Sequence, residues 1–329
     1  MPATTTPAPA VSVLTPVYNV AQFLPQCLNS LQNQKLSNIE FICINDGSTD
    51  NSLEILQSYA ENDPRFRIID KPNSGYGASM NQGLAAARGE YVGIVESDDF
   101  ASPNMFKKLY EFAKKHDCDL VKSNYFEHAD GRDCRIRAFH GFRYRRVFDP
   151  ADNVRVLRVL PIIWAGLYRR QMLLDGNVRF NETPGASFQD TSFVFQAWVA
   201  SRRAALLPGS YLHYRVDNAG SSVKSSTKIY EVCGEYATSE AYIKRDPRLW
   251  ETYAPTLNAI KFDGYRWNYN RIAAEYREEF VARWVEEFRQ ARDEGVLQQA
   301  LFDPDSWSII QELLAGDIPA FVGKYSEEL

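Results

Sequence analysis

The chain has 329 residues, is 45% hydrophobic and carries a formal net charge of −5. That length allows a large α/β domain with a second domain beside it. The acidic balance excludes a nucleic-acid binder, which would carry a basic stripe, and no apolar run reaches the roughly 18 residues that a membrane span needs. Five cysteines, Cys27, Cys43, Cys118, Cys134 and Cys233, are scattered without a CxxC pair. Such a set suits a reducing cytosol and argues against a disulfide frame or a zinc site. The first residues are rich in Pro, Thr and Ala and lack the basic and apolar regions of a signal peptide, so residues 1–10 read as a disordered tail.

Val11 to Asn19 is a β-rich run, and Pro16 should end the strand because proline removes a ladder donor. Phe23, Cys27, Leu28 and Leu31 then recur at helical spacing over about 21–34, with Pro25 in the first turn. Ile39 to Ile44 is a second strand, closed by the turn signal Asn45-Asp46-Gly47-Ser48. Asp50 or Asn51 should cap the next helix, with Glu54 completing a capping box. Phe66 to Ile69 is a third strand. Asn73 to Asn81 is a glycine-bearing loop leading into a helix through Ala87. Its glycines would let backbone approach a ligand, and the helix start favours phosphate. No Gly-Lys-Ser/Thr follows, so it is not a P-loop.

Tyr91 to Val95 reads as a buried strand running straight into Glu96, Ser97, Asp98 and Asp99. Acids this close repel one another unless something positive sits among them, and a divalent cation held by oxygen ligands is the simplest partner. Strand and helix alternate at short spacing over the first hundred residues, which predicts βαβ units and a mainly parallel sheet. Right-handed crossovers would bring Asn19, Asp46, Lys71 and Glu96 to Asp99 to one edge. Ligands bind at such edges.

Beyond Asp99 the pattern predicts a helix over 104–115, a strand over 119–123, a loop or hairpin over 129–146 and a helix over 150–160. Asp190 should open a helix through Trp198, Tyr211 to Arg215 a strand, and Asp217 to Ser226 a Ser/Gly-rich loop. His213 shares a strand face with Tyr211 and Arg215, and a packed or exposed histidine is expected ahead of an extra metal ligand. Core packing is also expected for Trp164 and Tyr168 ahead of stacking on a sugar. From Lys228 on, helical patterns dominate over 230–245, 252–277 and 278–292.

Thr15 to Asn19, Asn45 to Asp50, the Asn73–Asn81 loop, and Gly89-Glu90-Tyr91 followed by the carboxylates resemble the bacterial family-two glycosyltransferases. The motifs stand in order over roughly residues 11–225, and five in register are a specific signal. The resemblance implies an α/β chain of GT-A fold, a mainly parallel sheet flanked by helices, with a helical C-terminal extension. The implied domains are 11–227 (a nucleotide-sugar half over about 11–100, an acceptor half over about 101–227) and a helical region over 228–329.

The resemblance also assigns roles. Thr15, Pro16, Val17 and Asn19 would hold the nucleotide, partly through backbone, and Asp46 would bond the uracil or ribose. Lys71 with Gly75, Tyr76, Gly77 and Asn81 would line the nucleotide and sugar pocket. Glu96-Ser97-Asp98 occupies the Asp-x-Asp position, with Asp98 on Mn²⁺ or Mg²⁺ and Glu96 on ribose or metal. Asp99 would fix the loop. Asp190 would be the general base of an inverting enzyme, and Arg215, Ser221 and Ser222 would approach the diphosphate. Glu96 departs from the usual Asp, and Gln189 stands where relatives often carry Glu.

The implied activity is metal-dependent inverting transfer of a sugar from a nucleotide-diphosphate donor, a uridine one first, to a hydroxyl of a glycan or lipid-linked acceptor. Bacterial surface polysaccharide synthesis is the implied setting. The enzyme would be cytoplasmic, with a peripheral place at the inner face of the membrane as a variant. Dimerisation, acceptor binding and membrane docking all stay open for the C-terminal helices. A catalytically silent scaffold is the rival from another class. A nucleotidyltransferase is disfavoured because Thr15 to Asn19 offers no basic, glycine-rich triphosphate loop.

Overall fold

The computed structural model describes residues 8–218 and 228–329. It comprises two compact units, Met1–Asn153 with Val159–Ala219 and Val154–Arg158 with Gly220–Leu329.

The first unit begins with β1 (Val11–Val17), α1 (Leu24–Gln32), β2 (Ile39–Asp46), α2 (Ser52–Asn62), β3 (Phe66–Lys71), α3 (Tyr76–Ala86) and β4 (Tyr91–Ile94). The strands lie in the order β3-β2-β1-β4 and all pair in parallel, as the alternation predicts. β1 and β2 are buried along their whole length, which is why they read as near-continuous apolar runs. α1 packs Leu24, Cys27, Leu28 and Leu31 inward.

Two local expectations fail. Pro16 does not end β1, which continues to Val17 in register with Asn45. Pairing with β4 stops at Leu14, so near Pro16 the strand has a ladder neighbour on β2 alone and the missing N–H is tolerated there. The capping box at α2 does not form. Asn51 stands at the cap without a side-chain bond, and Asp50 accepts from the Ser52 N–H at 3.0 Å instead.

The unit continues with β5 (Phe100–Ala101), α4 (Met105–Lys115), β6 (Leu120–Ala129), β7 (Arg132–Ile136) and β8 (Val147–Phe148). β9 (Gly166–Arg169), α5 (Arg170–Asp175), α6 (Gln189–Ala200) and β10 (Ala204–Arg215) complete it. Here the sheet turns mixed. β9 lies antiparallel between β4 and β6, β6 pairs with β10 in parallel, and β5 edges β10 antiparallel. β6 and β7 form a hairpin through Asp130 and Gly131, whose φ values of 50° and 72° suit the primed turn of a right-twisted ribbon. The helix expected over 150–160 is a 3₁₀ stretch, Pro150–Arg158, broken at Asn153. Ala10 is buried, and Pro9 and Ala10 accept from the N–H groups of Glu90 and Tyr91.

The second unit holds α7 (Glu231–Lys244), α8 (Pro247–Arg271), α9 (Arg277–Asp293), α10 (Pro304–Ala315) and α11 (Ile318–Lys324). The long helix expected over 252–277 starts earlier and stops at Arg271. Trp284 is the centre of its core, with Phe262, Tyr265, Phe280 and Phe288 rings 5.6 to 6.1 Å away. Among the described residues no helix is long and apolar enough to cross a membrane.

Candidate active site

Past β4, Val95 donates to the Leu14 carbonyl at 3.0 Å, and the Asp99 N–H closes a turn on the Glu96 carbonyl at 3.0 Å. Ser97 and Asp99 are buried, while Glu96 and Asp98 stay partly accessible. The Tyr76 hydroxyl donates to Glu96 Oε1 at 2.7 Å. Burial, with the charges of Asp98 and Asp190, pushes the Glu96 carboxyl up to about 8 despite that bond. Burial and the Asp98 charge hold Asp99 well above the usual carboxylate range. Asp99 Oδ1 accepts from the Arg215 N–H at 2.8 Å, and its buried Oδ2 has no hydrogen-bond partner. Asn218 Nδ2 donates to Asp98 Oδ2 at 2.8 Å. Two acids pushed upward and one orphaned carboxylate oxygen mark a site short of positive charge.

Arg215 does not supply that charge as a free group. Its Nε donates to the Asp98 carbonyl at 2.9 Å, its Nη2 donates to Gln26 at 2.6 Å, and its guanidinium lies 4.7 Å over the Phe23 ring. It braces the acid turn, a different duty from the approach to a diphosphate that the resemblance implies. Ser221 and Ser222 lie outside the described residues.

The donor-side motifs converge at the same edge but divide their duties. The side chains of Thr15, Pro16 and Val17 are buried in β1. Tyr18, 53% exposed, offers its ring beyond the strand end. Asn19 adopts a φ of 49°, and its Oδ1 accepts from the Thr49 N–H at 2.7 Å, tying the loops after β1 and β2 together. Asp46 accepts from the Ser74 N–H at 2.8 Å, from the Gly75 N–H at 3.0 Å, and from the Lys71 ammonium. Lys71 also donates to Ser74 at 2.6 Å, so it is a brace and not a solvated side chain.

The glycine loop packs closely against protein. A Cβ on Gly77 would stand 1.7 Å from the Asn181 carbonyl oxygen, and one on Gly75 2.7 Å from that of Thr183. These glycines let α3 press against the 181–185 backbone. The Tyr76 N–H donates to the Gly185 carbonyl at 3.0 Å. With Asp46 on the two preceding N–H groups, the backbone entering α3 is bonded to protein as far as Tyr76. Asn81 is likewise committed. Its Nδ2 donates to the Phe180 carbonyl at 2.9 Å and to Glu182 at 2.8 Å, and its Oδ1 accepts from the Phe180 N–H at 3.0 Å.

That clamp carries Asp190 to the acids. Phe188 adopts a φ of 62° at the start of α6, and Asp190 falls in its first turn without serving as the cap. Burial pushes the Asp190 carboxyl up to about 6, against the pull of nearby backbone N–H groups. Its charge is felt at Glu96, Tyr76, Tyr168 and Tyr214. Gln189 ties the approach loop, accepting from the Ser187 N–H at 2.5 Å and donating to Thr183 at 2.8 Å. Its amide thus braces the loop that leads to Asp190.

Beside the acids, Trp164 stacks on Tyr214 at 5.1 Å and meets Tyr125 edge-on at 4.7 Å. Tyr168 is fully buried, as core packing predicts. The buried Lys122 ammonium donates to the Tyr168 hydroxyl and the Ile162 carbonyl, fixing the segment that delivers Trp164. Burial holds its pKa well below the usual range. Asn218 and Lys122 went unnoticed in the sequence. Asn218 has no motif around it, and Lys122 looks like any lysine until its strand is seen buried.

Residues 12–175 match the family described as glycosyl transferase family 2. The chain is 31% identical over 258 residues to the putative glycosyltransferase EpsH of Bacillus subtilis, covering 77% of this chain and 74% of that protein. It is 33% identical over 211 residues to the uncharacterized glycosyltransferase EpsJ of the same organism, covering 63% of this chain and 61% of EpsJ. Among solved structures, TarS of S. aureus, residues 1–349 with UDP, superposes with a TM-score of 0.73 at 22% identity, over 94% of this chain and 88% of that one. At that identity the likeness shows the fold.

Proposed function

The chain belongs to glycosyl transferase family 2, and from that premise we propose that it moves a sugar from a nucleotide-diphosphate donor to an acceptor hydroxyl with inversion. A uridine donor is favoured because the fold is shared with a protein solved with UDP. The observation that carries the proposal is the acid turn after β4, with its raised Glu96 and orphaned Asp99 oxygen, set within the electrostatic reach of Asp190.

That turn suits a hard divalent ion. Asp98 and Glu96 are the partly accessible acids of the turn and would face a cation, while the buried Asp99 gives only its Oδ1 to the Arg215 N–H. Mg²⁺ and Mn²⁺ need no more, because they keep waters and substrate phosphates as ligands. Bound there, such an ion would stabilise charge on the departing diphosphate. Tyr76 orients Glu96 through its hydroxyl. Tyr18 offers a ring face to a base, and the Asp46–Lys71–Ser74 network holds the floor beside it rigid. Asp190 takes the proton from the acceptor hydroxyl as it attacks. A carboxyl near 6 is ionised at neutral pH yet basic enough to receive a proton. With one base and no enzyme nucleophile, a single displacement inverts the anomeric centre.

The same reading puts the acceptor among glycans or lipid-linked glycans of the bacterial surface. It puts the enzyme in the cytoplasm or at the inner face of the membrane, and leaves dimer formation to α7–α11. The test is a donor-hydrolysis screen across nucleotide sugars with and without Mn²⁺, repeated on Asp98→Asn. We expect uridine-linked donors to turn over only with the ion, and Asp98→Asn to abolish turnover while circular dichroism stays unchanged. Unchanged turnover in Asp98→Asn would discard the metal assignment. Absence of calorimetric binding of UDP with Mn²⁺ would favour a silent scaffold.

A further inference from the structure

We propose a second metal site, separate from the acid turn: His128, Asp133 and His213 form a nitrogen–oxygen ligand set for a borderline divalent ion of the Zn²⁺ type. Among the described residues, these three bring their ligand atoms within 4.8 Å of one another. His128 Nδ1 is 2.8 Å from Asp133 Oδ1, and His213 Nδ1 is 3.0 Å from Asp133 Oδ2. One carboxylate thus spans two imidazole nitrogens. His213 Nδ1 is buried, and its short approach to Asp133 lacks the alignment of a good hydrogen bond. His128 Nδ1 and Asp133 Oδ1 are hydrogen-bonded, whereas His213 Nδ1 and Asp133 Oδ2 lie close without aiming at each other, as two ligands of one ion do. In a tetrahedral site with ligands about 2.0–2.1 Å from the metal, adjacent ligand atoms lie about 3.3 Å apart.

The surroundings fix the histidine that matters most. His213 stacks on Phe100 at 4.4 Å and on Phe126 at 4.9 Å, so its ring cannot swing away. Its other nitrogen, Nε2, lies 3.1 Å from Ser102 Oγ. A partner on Nε2 leaves the Nδ1 lone pair free for a metal, the usual second-sphere arrangement of a ligating histidine. Two imidazoles and one carboxylate select Zn²⁺, Co²⁺ or Ni²⁺ over Mg²⁺. The cysteine pattern spoke against zinc, and no cysteine takes part here.

The position gives the ion a task. His128 is on β6, Asp133 on β7 and His213 on β10. Ser102 follows β5, which pairs with β10 through Phe100 and His213. β5 starts directly after Asp99, and Arg215, the brace of the acid turn, is two residues beyond His213. An ion held here would staple three strands, β6, β7 and β10, next to the catalytic acids without touching substrate.

The full chain, stripped of metal and carrying Asp98→Asn to disarm the acid turn, is titrated with Co²⁺ and followed by its visible absorption. We expect one Co²⁺ per chain, displaced by Zn²⁺. Adding Asp133→Asn or His128→Gln should weaken binding at least about tenfold. His213 is left intact because its ring is part of the packing. As a readout independent of those variants, the thermal midpoint of the Asp98→Asn protein should rise with stoichiometric Zn²⁺ and not with Mg²⁺. No absorption band, no Zn²⁺-dependent rise, or a band undiminished by both substitutions would overturn the site.

Discussion

Replacing Asp190 by Asn should stabilise the protein as it disables it, and the two effects have different pH signatures. Burial lifts this carboxyl from an ordinary 3.8 to about 6. A rise of about two units, at 1.36 kcal/mol each, is about 3 kcal/mol at most. A folded-state pKa above the unfolded value means the native protein holds the proton more tightly. That contribution is complete below about pH 4 and is lost as pH rises through about 6. The wild-type protein should therefore lose up to about 3 kcal/mol through this group between pH 4 and pH 7.5, and Asp190→Asn should not. Urea unfolding of both proteins at the two pH values measures the difference. We expect the variant's advantage to grow by about 2 to 3 kcal/mol from pH 4 to pH 7.5. Turnover should fall by about 10²- to 10⁴-fold in the variant, while wild-type turnover rises with pH through about 6. A stability difference that does not change with pH would refute the buried-carboxyl argument, and a variant that keeps its turnover would remove Asp190 as the base.

Tyr76→Phe deletes the hydroxyl that holds Glu96 and should lower apparent Mn²⁺ affinity about three- to tenfold with the fold intact; calorimetry in the presence of UDP reads this, and an unchanged affinity would dissociate Tyr76 from the site. Gly77→Ala places a methyl 1.7 Å from the Asn181 carbonyl oxygen, a backbone atom that has little freedom to retreat. It should cost more than about 3 kcal/mol in chemical denaturation, and a wild-type midpoint would show that the 181–185 segment yields.

The parallel half of the sheet was legible because β1, β2 and β4 are buried on both faces and announce themselves as apolar runs. The acids were legible because three like charges after such a run need a reason. β9 was not. It is four residues long, contains Gly166, and takes its antiparallel place between β4 and β6 from tertiary pairing, which no local pattern records. The glycine loop was read for its backbone freedom, correctly, but the object pressed against it lies about a hundred residues downstream. Asn81 and Phe180 are 99 positions apart, so their mutual bonds could not be seen from either neighbourhood. The stretch over 129–146 stands open between loop and hairpin in the sequence, although Asp130-Gly131 is a dipeptide that favours the two-residue hairpin turn.

The placement of β9 has a consequence for any attempt to take this molecule apart. The stretch that carries the donor motifs ends in β4, whose free flank is covered only by a strand arriving some seventy residues later. A fragment cut just after Ala101 would leave that flank bare, an open template for joining another chain. The two halves named from motifs are therefore not two modules to be shuffled between enzymes. Exchange of acceptor preference by grafting would have to keep Gly166 to Arg169 with the recipient, like the last plank that locks a hull.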